Sequence, residues 1–405
     1  MTQTRDEQPD NVRDDLLRPV KLLLLLARTE FTDEERRRIL AEFESFSFWK
    51  QFASLAVRHG VAALIWQNIT DLGLESMMPE TERVLLGGLR FKSIARVAWI
   101  SGAAAEVTRL LEEAGIKVVL LKGLALEHTV YGSRGLRQMS DADLLVAPTD
   151  ALRARDILQS HGFESMPMKS PLYRHIILDL GNHLPELHRG GISVDLHYRL
   201  FGPEGKEMVS KAIDDSEVIS AGKGTFRILP PMTSFLALIN HIYKHEVKGE
   251  FQLRLWTDIY LLLRKYGSSI MTGVLPEAAE EAGVQKEARI VMTVMEQVWG
   301  VAIPDVMKAQ TSDEVTKAGR FMQDLMHPGL VESISQREMF SRNLASLKSF
   351  RKKAVFIIGD IFPSVGFMKR RYGCSSAAGA VLRYPHRLGK IAWILGFPGA
   401  KDRDL

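Results

Sequence analysis

From Asp14 to about Gly115 apolar residues recur at three- and four-residue spacing, as in Phe48, Phe52, Leu55 and Ala56 and again in Val97, Ile100, Ala104, Val107 and Leu111. That period predicts helices throughout this segment. Its punctuation agrees: Asp33 can cap a helix beginning at Glu34, Gly60 ends one, Pro79 starts another, and Gly115 stops the long helix carrying Leu110 and Leu111. The first ten or so residues are polar and predicted to fray. At Ile116 the pattern changes to a short β-branched run, Ile116 to Leu121, held between Gly115 and Gly123, which predicts a buried strand. A helix from Leu124 to about Tyr131, a glycine-rich turn, a strand Asp143 to Val146 and a helix Ala151 to His161 follow. Segments His183 to His188 and Ile192 to Tyr198 flank Gly190-Gly191, a dipeptide suited to a tight hairpin, and predict two antiparallel strands. A further strand, Thr225 to Leu229, closes this region before Pro230 and Pro231, which suit a helix start. From Thr233 the period is helical again to about Leu347.

The order helices, one mixed sheet, helices defines an α+β fold. The expected division is a helical region over 1–114, an α/β domain over 115–230, a helical domain over 231–347 and a basic segment over 348–405. At 405 residues the chain has room for two or three domains of about 150 residues each. Apolar residues make up 46% and charged residues 25%, values of a folded globular protein that exclude wholesale disorder and fibrous repeats. The longest charge-free stretch, Ile228 to Tyr243, is interrupted by prolines and falls short of the roughly 20 apolar residues of a membrane span. The leucine run Leu22 to Leu26 is too short and too late for a signal peptide, so a cytoplasmic location is expected. One cysteine, Cys374, excludes an intramolecular disulfide and a multi-cysteine metal site. The net charge of +4 is unevenly spread, since Lys348 to Lys390 holds ten Lys or Arg and a single acid, Asp360. Two readings are open for this segment: a site for an anionic partner or the inner membrane surface, or a solvated helical face.

The chemistry concentrates in Leu120-Leu121-Lys122-Gly123 and in Arg134 to Val146. Asp141 and Asp143 stand two apart at the start of a strand, which points both carboxylates to one side. Such a pair repels unless neutralised, and a hard divalent cation, Mg²⁺ or Mn²⁺, prefers carboxylate oxygen. The hairpin offers a third acid: in Ser193 to His197, Val194 and Leu196 alternate with Asp195, placing the acid opposite the apolar pair. If that strand neighbours the strand of Asp143, three acids converge and can seat two metal ions for phosphoryl chemistry. Lys122 and Gly123 open a helix just after a strand, where free N–H groups favour phosphate. Lys122, Gly123, Arg134, Arg137 and Ser140 are candidate triphosphate contacts. For Lys122 a solvated surface role also stays open, and for Arg137 an ion pair with Asp141.

These motifs, with Trp49 to Asn68, His59-Gly60, Val194 to His197 and the His241 to Asp258 helices in the same order, resemble the bacterial nucleotidyltransferase-like family of the polymerase β-type nucleotidyltransferase superfamily. The resemblance implies a small mixed-sheet nucleotidyltransferase core flanked by helical regions. It implies transfer of a nucleoside monophosphate from an NTP co-substrate to an acceptor, with pyrophosphate released. Asp141 and Asp143 then correspond to the acid-x-acid pair that binds both metals, and Asp195 to the third acid, which binds the nucleophile-side metal and takes the acceptor's proton. Better studied members carry Gly-Ser or Gly-Gly where this chain has Lys122-Gly123, so nucleotide choice does not carry over. A sugar, another small molecule, a peptide, a protein side chain or an RNA end would each serve as acceptor. Nucleic acid is disfavoured because the basic residues gather near the tail. Two other functions compete: a sugar-nucleotide glycosyltransferase using Asp141-Ala-Asp143 as its metal motif, and a non-catalytic nucleotide-binding scaffold of a surface-polymer or peptide-modification system.

Other polar residues are read more plainly. Glu186 and His188 share a strand face and are outer candidates for the same cleft. His197 either orients Asp195 or touches substrate, or is a structural histidine. His241 and His245 are four apart on a helix without the His-Glu-x-x-His order of a zinc protease, and helix packing is expected. Arg254 and Asp258 read as a helix-surface pair, and Trp66, Trp99 and Trp256 as core.

Overall fold

A computed structural model describes residues 10–202, 206–222, 224–331 and 333–394. The polar N-terminal residues 1–9 and the last part of the basic segment, 395–405, lie outside the described residues. Five helices come first: α1 (Asp10–Leu26), α2 (Asp33–Glu44), α3 (Trp49–Arg58), α4 (Ala62–Asp71) and the long α5 (Glu80–Glu113). The cap of α2 is Thr32, not Asp33: its hydroxyl accepts from the Glu35 N–H while the Glu35 side chain accepts from the Thr32 N–H, a reciprocal box that satisfies two free donors. After α3 and α5 the chain turns at Gly60 and Gly115 with φ of +69° and +76°, where a side chain would be strained.

The middle of the chain supplies β1 (Val119–Leu120), α6 (Lys122–Thr129), β2 (Asp141–Leu145), α7 (Ala151–Ser160), β3 (Glu164–Ser165), β4 (Leu187–Arg189), β5 (Ile192–His197), α8 (Lys206–Asp214), β6 (Glu217–Ala221) and β7 (Gly224–Ile228). These strands form one mixed sheet in the order β3-β4-β5-β2-β1-β7-β6. The expected hairpin is present, β4 and β5 running antiparallel across Gly190-Gly191. β5 lies parallel to β2, with Asp143 opposite Asp195 in register. β3 and β6 are edge strands that the apolar pattern does not signal; the residues of β6 are half-buried or exposed.

Side chains on one side of the sheet, Leu120, Ala142, Leu144, Val194 and Leu196, pack with Val97, Ile100, Ala104 and Val107 of α5. A second, larger core joins α1, α3 and α4 to α9 (Pro231–Val247), α10 (Leu253–Ile270) and the helices that follow. Trp256 is buried in it and Trp66 packs at its edge. Trp99, expected in a core, is 49% exposed on α5, with the Arg96 guanidinium 5.2 Å from its ring centroid. The chain is thus α+β, mostly helical with a seven-stranded mixed sheet in the middle. No helix among the described residues is long and apolar enough to cross a membrane.

The helices Phe350–Ile361, Val365–Arg371, Ala377–Val381 and Tyr384–Ile394 carry the basic segment. Phe356 packs with Ile176, Phe340 and Leu347 in a small separate core. Asp360, the lone acid of the segment, is buried and receives the Tyr173 hydroxyl, the Lys169 ammonium and, 3.9 Å away, Arg387.

Candidate active site

The antiparallel strands β1 and β2 respectively end and begin at a cleft of about 580 Å³, lined on the other side by residues of α9. The Leu121 N–H donates to the Asp143 carbonyl at 2.9 Å, which ties the end of β1 to β2. The next residue, Lys122, adopts φ of +46°, a left-handed conformation unfavourable for a side-chain-bearing residue by about 1 kcal/mol or more. That turn brings its ammonium over β2, 2.5 Å from Asp143 Oδ1 and 3.1 Å from His197 Nε2. His197 Nε2 in turn lies 2.8 Å from the same Asp143 oxygen. The imidazole is kept neutral, its pKa pulled down to about 3 by burial and then by Lys122. Its Nε2 donates to Asp143 in one tautomer and accepts from Lys122 in the other.

The carboxylates differ in environment. Burial alone would raise Asp143, but the Lys122 charge and the His197 hydrogen bond hold it well below the ordinary carboxylate range. Burial, and then the negative charges of Asp143 and Asp141, push Asp195 up to about 7. Asp141 is raised by burial and then by Asp143, while Ser140 Oγ donates to it at 3.3 Å. Ligand atoms of Asp143, Asp195 and His197 all lie within 4.8 Å of one another; Asp141 lines the same cleft outside that group. Asp195 Oδ1 is buried with no hydrogen-bond partner among the described residues. Leaving a buried acceptor unpaired costs roughly 1–3 kcal/mol, and a divalent cation would satisfy it. Two carboxylates suit Mg²⁺, which typically binds one or two of them and completes its shell with water and phosphate, and carboxylate oxygen suits Mn²⁺ equally. The residues present therefore fit a divalent metal.

The phosphate candidates separate in space. Lys122, Arg137 and Ser140 line the cleft, whereas Arg134 turns outward to Asp71 at 2.8 Å. Arg137 does not pair with Asp141. Its guanidinium lies on Asp258 of α10 through three hydrogen bonds of 2.7 to 3.1 Å, and the Tyr131 hydroxyl donates to the same carboxylate at 2.8 Å. Asp258 is fully buried, so the expected helix-surface pair with Arg254 is replaced by a bond between the glycine-rich loop and α10. Arg254 donates instead to the Gln138 carbonyl and to Gln252. Gly123 is shaped by this arrangement, since a Cβ there would stand 2.3 Å from Arg137 Nη1. The buried Glu127 completes the support by accepting the N–H groups of Gly135 and Arg137.

Glu186 and His188 lie beside each other at 3.4 Å and are not among the cleft-lining residues. His241 and His245 do more than pack: both line the cleft, their rings 4.6 Å apart. Lys244 and Lys248 line it too. The signal was present in the sequence as the basic spacing 241, 244, 245, 248, which places one face of α9 toward the sheet.

A mixed sheet with acids on its interior parallel strands β2 and β5 and a strand-turn-helix beside them is the arrangement that the resemblance to nucleotidyltransferases implies. A model of the uncharacterised nucleotidyltransferase family matches residues 47–300. The chain belongs to that family. No curated protein and no solved structure matches it.

Proposed function

We propose that the protein transfers a nucleoside monophosphate from an NTP to an acceptor, with divalent-metal assistance and release of pyrophosphate. The observation that carries this reading is the buried, unpartnered Asp195 Oδ1 beside Asp143, brought together by the parallel pairing of β2 and β5. Asp143 and Asp195, with Asp141 at the rim, are the residues that would hold Mg²⁺ or Mn²⁺. A cation bound there would offset the negative charge that builds on the phosphates in the transition state.

In this reaction the acceptor oxygen attacks the α-phosphorus and the bond to the bridging oxygen of the β-phosphate breaks, pyrophosphate leaving with the electron pair. The acceptor's proton goes to Asp195, the buried carboxylate beside Asp143 whose Oδ1 is left open toward the cleft. Lys122 supplies a positive charge beside Asp143. Its left-handed backbone sets the ammonium inside the cleft instead of in solvent. Acceptors with a hydroxyl or phosphate oxygen, on a small molecule, a sugar or a peptide, all suit the scheme.

The test is pyrophosphate release from each of the four NTPs with Mg²⁺ and a cell extract as acceptor source. Asp143→Asn and Asp195→Asn are expected to reduce release about a hundred- to a thousandfold, on the scale of losing a principal electrostatic group, with both variants still folded, Asp143→Asn melting lower because Lys122 loses its counter-charge. Undiminished release in either variant rejects the assignment.

A further inference from the structure

On the wall of the cleft opposite the acids, His241 and Lys244 of α9 and Lys248 just after it repeat at three- and four-residue spacing and line the cavity together. Lys244 is half-buried, and its ammonium has no hydrogen bond or ion pair with any described residue. The charges that act on it, Lys122 across the cleft and Lys248 along the helix, are both positive. Burial and then these two neighbours bring it down to about 8. Elsewhere the fold treats withdrawn cations differently: Arg137 lies on Asp258 and Lys169 on Asp360. An unpaired, half-buried cation beside like charges is unfavourable, and such arrangements concentrate where a ligand brings the missing charge. Near the same wall Arg254 Nε is buried without a partner among the described residues, a further donor.

We propose that Lys244 and Lys248, facing Lys122 across the cleft, form a binding site for a phosphate chain. The site deepens the nucleotidyl-transfer reading and rests on it for the owner of that chain: the acids hold the metal side, and α9, in place of Arg137, holds the phosphate side. A chain of two or three phosphates carries several negative charges and can reach more than one of these ammonium groups; a single phosphate on an acceptor engages the same chemistry. Lys244 is a binding residue in this scheme, and its charge matters more than its packing.

The experiment is calorimetric titration of the full chain with inorganic tripolyphosphate in Mg²⁺ at low ionic strength, paired with thermal melting without ligand. Lys244→Met is expected to weaken binding at least tenfold, the loss of one charge-assisted contact, while the melting temperature stays equal or rises because a repelled cation is gone. Lys244→Arg is expected to retain most of the affinity. Equal affinity in Lys244→Met, absence of tripolyphosphate binding to the wild type, or a melting temperature that falls in Lys244→Met with the affinity overturns the proposal. Repeating the titration with a non-hydrolysable NTP present separates the sources. Competition assigns the chain to the nucleotide, simultaneous binding assigns it to a phosphorylated acceptor, and either supports the site. If NTP turnover occurs yet tripolyphosphate binding ignores Lys244, this inference alone fails. If tripolyphosphate binding depends on Lys244 but no NTP is turned over, the transfer reading fails and the phosphate site stands.

Discussion

Gly123 sits under the Arg137 guanidinium, and the missing Cβ leaves the space that Arg137 needs to reach Asp258. The glycine therefore serves protein-to-protein contact, whatever its N–H offers to phosphate. Gly123→Ala is expected to lower stability by about 1–3 kcal/mol, the usual cost of forcing extra volume into a packed place. An unobstructed glycine in a helix would instead gain about 1 kcal/mol on becoming alanine, so urea unfolding of the ligand-free variant separates the two by sign. The acids of the site were legible as single residues, because alternation in Ser193 to His197 and the Asp141-Ala-Asp143 spacing fix which side each one faces. The partners were not. Asp258 lies 121 positions from Arg137, and nothing in the local pattern of either announces that α10 delivers a buried carboxylate to the glycine-rich loop. His197 was open to several roles, and its contact with Asp143 follows from a strand register that only the fold supplies.

At the scale of elements, α3 and α10 are joined through His59, which is fully buried at the end of the first of them. Its Nε2–H donates to the Leu325 carbonyl at 2.7 Å, and its Nδ1 accepts from the Leu253 N–H at 3.4 Å, so the neutral ring with Nε2 protonated satisfies both ends. Burial, chiefly, pulls its pKa from 6.5 down to about 4. The folded state thus binds fewer protons than the unfolded chain between these values. The contribution of His59 is complete above about 6.5 and is lost as pH falls through about 4, in total on the order of 3 kcal/mol. Urea midpoints measured from pH 7 to pH 4 are expected to fall more steeply for the wild type than for His59→Asn; equal slopes would refute this role. Helices α3, α5, α6, α7, α9 and α10 and strands β2, β5 and β7 were legible from period and from glycine and proline punctuation, whereas of the expected strand His183 to His188 only Leu187 and His188 fall in β4. Strands β3 and β6 were not, because an edge strand with no fully buried face carries no alternation to read. Trp99 misled for a related reason: it follows the apolar stripe of α5 yet stands at its edge, against Gly191 of the hairpin.

For the molecule as a whole, the basic segment is held to the sheet region through a few contacts, with Asp360 at their centre. Tyr173, Lys169 and Arg387 converge on its carboxylate, and Gly359 lies so close to Tyr173 that a Cβ would stand 2.5 Å from the ring. Asp360→Ala leaves Lys169 and Arg387 without their counter-charge, and breaking a buried pair from one side typically costs about 3–5 kcal/mol. Limited proteolysis is expected to cut near residues 340–390 much faster in this variant while the sheet region resists; unchanged cleavage would show that the segment is anchored elsewhere. Between the interior strands β2 and β5, in the cleft walled by α9, Asp143 and Asp195 are proposed to hold a divalent ion. The most direct measurement is the anomalous difference density of crystals grown with Mn²⁺ and a non-hydrolysable NTP. The account predicts a peak about 2.1–2.4 Å from carboxylate oxygens of both residues, with the nucleotide's phosphates lying toward Lys244. No peak there, with Lys122 still closed on Asp143 and Asp195 Oδ1 still without a partner, would contradict it.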